Sequence, residues 1–62
     1  MMAFAVYSSE LVWNASNIAL ENSTLDDDVY DKIEAIMSMC KCADTIMVDD
    51  EVWSVIGDFY GA

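Results

Sequence analysis

Apolar residues recur at helical spacing through the middle of the chain. Leu25, Val29, Ile33, Ile36, Met37 and Cys40 fall on one side of an α-helix. At about 100° per residue, Asp27, Asp31, Glu34 and Ser38 fall on the other. The pattern predicts a helix from Thr24 to Cys42. Thr24 suits the N-cap position, and Asp27 lies where a capping box places its acid. Asp26, Asp27 and Asp28 then occupy the first turn, where the helix dipole favours negative charge by roughly 0.3–1 kcal/mol each. Lys41 sits near the end that favours a cation.

On either side the pattern is less regular. Phe4, Tyr7, Leu11, Ala15 and Ile18 fit one helical stripe, while Val6, Trp13 and Leu20 fit a second at seven-residue intervals. The segment reads as helix over residues 9–21, with Glu21-Asn22-Ser23 as the connection. Before it, residues around Phe4 and Val6 read either as more helix or as a short strand, with Ser8 or Ser9 as the cap. Thr45 to Val48 has strand propensity. Beyond it Val52, Val55, Ile56, Phe59 and Tyr60 predict a last helix capped by Asp49 or Asp50, weakened by Gly57.

These elements predict an all-α fold, a small three-helix antiparallel bundle forming one acidic domain over residues 1–62. The alternative is α+β, with a short N-terminal strand and a 45–56 hairpin turning at Asp49-Asp50. The helix is preferred there because a two-residue turn favours Asn-Gly or Asp-Gly.

Composition changes the picture. Twelve acids against two lysines, with no histidine, give a formal charge of −10, yet 56% of the residues are hydrophobic and there is no proline. The charge alone would suggest disorder; the apolar content indicates a folded domain with apolar surface to spare. A chain this acidic has few groups to neutralise phosphates, so nucleic acid and anionic membranes are excluded as direct partners. A dense negative surface instead suits a basic one, and nucleic-acid-binding grooves are the commonest large basic surfaces.

The candidate partner-binding face comprises Asp27, Asp31 and Glu34 on one helix, with Asp50, Glu51 and Asp58 on another. Carboxylates three or four residues apart lie about 5–6 Å apart at Cβ, so such a row can imitate a phosphate backbone. The pairs Asp27/Asp31 and Asp31/Glu34 can also be read as acid–base or metal-holding carboxylates. They lie opposite the apolar stripe, where nothing buries them to shift a pKa, so the solvated reading prevails. No nucleophile–base pair is in sight, and Asp26-Asp27-Asp28 lacks the glycine and terminal glutamate of a calcium loop. Cys40-Lys41-Cys42 has no second cysteine pair or histidine to complete a zinc site. No enzyme, metal or cofactor is expected.

Cys40 reads as a reduced core residue. No signal segment or spanning run is visible, so the expected location is cytoplasmic. The second stripe, Val6, Trp13 and Leu20, predicts self-association as a homodimer, with Trp13 as its anchor. In its general character, very short, strongly acidic and apolar without catalytic residues, the chain resembles small phage-encoded inhibitors that mimic DNA. That resemblance rests on composition and covers no aligned residue. It implies an acidic inhibitor seated on the nucleic-acid site of a nuclease, a restriction or CRISPR effector, or a polymerase. The competing expectation is a structural or adaptor subunit that binds through apolar helix faces, its acids serving solubility.

Overall fold

The computed structural model describes residues 4–62. Strand β1 (Phe4–Ser8) leads directly into helix α1 (Ser9–Asn22), and a short connection reaches helix α2 (Asp27–Cys40). Strand β2 (Thr45–Asp49), helix α3 (Asp50–Ile56) and the 3₁₀ turn η1 (Gly57–Phe59) complete the order. The strands pair antiparallel as a two-stranded sheet, Phe4 opposite Asp49 and Ser8 opposite Thr45. The all-α bundle expectation is therefore wrong, and the fold is α+β. The N-terminal strand of the alternative is present, but its 45–56 hairpin is not, because β2 pairs with β1 and residues 50–56 coil into α3. The helical expectation for residues 2 and 3 lies outside the described residues.

The physical reason lies in the partner. Phe4–Ser8 is too short to choose its own conformation, but beside β2 its backbone groups find ladder partners. Ser9 N–H donates to the Asp44 carbonyl at 2.9 Å, carrying the junction into α1. Within β2, Ile46 and Val48 are buried while Thr45 and Met47 are exposed, the period of two expected of a half-buried strand.

The core is aliphatic: Ile33 and Ile36 from α2, Ile46 and Val48 from β2, Val52 and Ile56 from α3, and Val12, Ala15 and Ala19 from α1. The contribution of α1 is unexpected. Its buried seam is Ser9, Val12, Ala15, Ser16 and Ala19, mostly small residues. On a helical wheel, Leu11 and Ile18 lie about 100–120° to one side of Val12, and Trp13 and Leu20 about 80–100° to the other. The two stripes read from the sequence are thus the shoulders of one broad face, and small side chains between them let α1 approach its neighbours closely. Val6 lies in β1, so the helical line Val6–Trp13–Leu20 does not exist.

Helix boundaries shift too. Asp26, not Thr24, takes the N-cap position of α2 and makes no side-chain cap bond. In α3, Asp49 is a working cap, its Oδ1 accepting from Val52 N–H at 2.8 Å. An aromatic cluster closes the C-terminal end. Tyr7 stacks on Trp53 with centroids 4.1 Å apart, and Tyr60 meets both rings edge-on at 5.2 and 5.3 Å. The Tyr60 hydroxyl accepts from Ser8 N–H at 3.3 Å. Gly57, in helical backbone conformation at φ −57°, allows this: a Cβ there would lie 3.0 Å from the Trp53 ring.

Candidate functional site

The acids are displayed, not buried. Eleven of the twelve carboxylates are exposed, and Asp49, half-buried, is occupied in capping α3. In α2 the buried positions Ile33 and Ile36 fix the helix rotation. Asp27 and Asp31 then face outward. Glu34, seven residues after Asp27 and so on nearly the same line of the helix, also borders a shallow groove with Trp13, Leu20, Met37, Ser38 and Lys41. All three α2 acids are exposed, on the side of the helix away from Ile33 and Ile36.

The α2 and α3 acids are linked through a cation. Lys32 on α2 forms an ion pair with Glu51 on α3 at 2.6 Å, the one salt bridge among the described residues. The hydrogen bond to Glu51 holds the Lys32 ammonium above its ordinary pKa; partial desolvation opposes it, and the charges of Glu51, Asp49 and Asp28 reinforce it. Lys32 thus sits where the acidic ends of α2 and α3 converge. Two of the residues around it, Asp28 and Asp49, were not among the predicted site. Glu51 is there but is partly neutralised. Asp50 is exposed at the start of α3, and Asp58 is exposed beyond its end, on η1.

The predicted self-association residues are divided between two surfaces. Trp13, 40% exposed, and Leu20 line the α1–α2 groove, and Leu20 also packs on the core. Val6 lines a different depression, with Met39, Ala43, Thr45, Ile46 and Met47. Sequence reasoning missed this second surface. It is the outer face of the sheet, where Phe4, Val6 and Met47 project away from the core. Alternation in the strands was the available signal, but a run of five residues is too short to show it clearly.

Cys40 is half-buried at the end of α2 and Cys42 is exposed; both are free thiols. Burial pushes the Cys40 thiol pKa up, and the neighbouring Ser9 hydroxyl opposes this. Their contact falls short of hydrogen-bond geometry, so Ser9 Oγ and the fully enclosed Ser16 Oγ are both buried without a partner. No helix among the described residues is long and apolar enough to cross a membrane. No family model, curated protein or solved structure matches this chain.

Proposed function

We propose that this protein is an acidic inhibitor that occupies the nucleic-acid site of a DNA- or RNA-handling protein. The observation that carries the reading is the display of charge. A net charge of −10 is spread over a body of 28 × 28 × 19 Å, with nearly every carboxylate in solvent. One DNA strand carries a phosphate every ~3.4 Å, or about eight over 28 Å, and a duplex about twice that. The charge of the whole protein is therefore of the order of one strand's over that length and below a duplex's. Along α2, Asp27, Asp31 and Glu34 are spread over seven residue steps, about 10.5 Å, a mean spacing of about 5 Å. That is the same order as the phosphate repeat, and a groove lined with lysine and arginine would be steered toward it at low salt.

The test has two stages. Purified nucleases, polymerases and CRISPR effectors are screened for loss of oligonucleotide binding by fluorescence anisotropy as the protein is added. The triple variant Asp27→Asn, Asp31→Asn, Glu34→Gln should then weaken inhibition at least tenfold, about 1.4 kcal/mol, with an unchanged circular dichroism spectrum. Undiminished inhibition by the variant, or inhibition indifferent to salt, would contradict the reading. The adaptor reading is supported by a different observation, the apolar outer face of the sheet.

A further inference from the structure

The outer face of the β1–β2 sheet is open. Phe4, Val6 and Met47 stand on it, 55%, 63% and 57% exposed, and Met39 of α2 rises beside them at 51%. Two depressions adjoin there and share Met39 and Met47. One extends toward Ala43 and Thr45, the other toward Phe4 and Ala35. Together they make a trough along the sheet beside α2, its two halves meeting at Met39 and Met47. The opposite face of the sheet carries Ile46 and Val48 into the core, and the trough reaches down to the core residues Ile36, Ile46 and Val52.

We infer that the trough is a docking surface for a short amphipathic helix of a partner protein, apolar on one side and flanked by lysine or arginine. Dimensions, charge and chemistry each support that occupant. Five strand residues run about 16 Å, the length of three helical turns. A helix of that size presents the i, i+3, i+4, i+7 anchors that such grooves take. Two of the four exposed side chains are methionines, whose flexible thioethers adapt to differently shaped anchors.

Charge decides between partners. Asp49 lines the Phe4 end of the trough, and Asp44 adjoins the Thr45 end. The one lysine on its rim, Lys32, is paired with Glu51, so a cationic helix meets attraction at both ends. A second copy of this chain would instead bring another −10 against the same surface. The exposed apolar patch consists of four side chains, Phe4, Val6, Met39 and Met47. A small patch rimmed by acids fits a short basic element better than a twin.

The inference rests on the acidic reading only for the sign of the partner's charge, and the two can fail separately. The probe is a synthetic 14-residue leucine–lysine helix, compared with an oligo-lysine carrying the same number of lysines. Calorimetry measures affinity, and methyl resonances locate the site. The helical peptide should bind at least tenfold more tightly than oligo-lysine and shift the Val6, Met39 and Met47 methyls. Val6→Ser with Met47→Ser should remove that tenfold advantage while leaving oligo-lysine binding unchanged. Both positions are exposed, so the fold should survive, as an unchanged melting curve will verify. Trp13→Ser, on the other groove, should leave peptide binding intact. Equal affinity for the two peptides, shifts confined to Trp13 and Leu20, or a wild-type dimer abolished by Val6→Ser with Met47→Ser would each overturn the inference. Loss of oligo-lysine binding in the Asp27→Asn, Asp31→Asn, Glu34→Gln variant bears on the acidic face alone.

Discussion

Replacing Gly57 with alanine sets two effects of comparable size against each other. The backbone at Gly57 is helical, φ −57° and ψ −37°, so alanine fits without strain and should gain up to about 1 kcal/mol in propensity. Against this, the new Cβ would lie 3.0, 3.1 and 3.3 Å from three atoms of the Trp53 indole. A free side chain would swing away at little cost. Trp53 is held by the Tyr7 stack at 4.1 Å and by the edge of Tyr60 at 5.3 Å, and moving it disturbs both. Each aromatic pair is worth about 0.5–1.5 kcal/mol, and overpacking of this kind costs about 1–3 kcal/mol. The clash should win, leaving Gly57→Ala destabilised by about 1–2 kcal/mol, or about 4–16 °C in Tm for a domain of this size. Thermal melts followed by near-ultraviolet circular dichroism give both the stability and the aromatic packing. In a Trp53→Leu background the obstacle is gone, and the same substitution should become neutral or stabilising. A rise in Tm on Gly57→Ala with Trp53 in place would refute the argument, and so would an identical effect in the two backgrounds.

Ser16 Oγ is fully buried without a partner, so Ser16→Ala should stabilise the protein by about 1 kcal/mol; a lower Tm would indicate a hydrogen bond that the geometry does not contain. With twelve acids against two lysines, the Tm should rise from low to moderate salt as repulsion is screened, and a steady fall would contradict an unpaired acidic surface. The Cys40 pKa is raised above its ordinary 9.0 by burial, so the thiol stabilises the fold below that pH and loses this contribution as pH rises through its folded pKa. Mild alkali should therefore destabilise the wild type more than Cys40→Ala, and Cys42 should react with a thiol reagent faster than Cys40; equal rates would place both thiols in solvent.

The elements differ in how far local sequence specified them. α2 was legible because fourteen residues carry several turns of one period, with acids gathered on the outward side. Its acidic row was legible for the same reason, since residues opposite a buried stripe must face water. α3 was legible as a helix, though not its early passage into a 3₁₀ turn at Gly57. The strands were not legible as a pair. β1 and β2 are five residues each and lie some forty residues apart in the chain, so neither carries evidence of the other. Phe4 and Val6 could extend a helical stripe until β2 offered hydrogen bonds in place of those a longer α1 would have made. The bundle expectation failed at that point, and the outer sheet face escaped notice with it.

α1 failed differently. Its type and limits were read correctly over residues 9–21, but its inward side was not. Hydrophobic periodicity weights large side chains, and Leu11, Trp13, Ile18 and Leu20 drew attention to the shoulders of the helix. The centre of the buried face is Ser9, Val12, Ala15, Ser16 and Ala19, chosen by how closely α1 must approach the sheet and the other helices. Similarly, twelve carboxylates can be counted from the sequence, but the gathering of Asp28, Asp49 and Glu51 around Lys32 cannot, because Glu51 and Asp49 reach it only after β2 has returned the chain beside α2. By itself the sequence determined the helices, the outward acids and the excess of negative charge, all properties of residues a few positions apart. Only the tertiary structure decided the pairing of β1 with β2, the small-residue seam of α1 and the open apolar trough, because each depends on which distant segment occupies the neighbouring space.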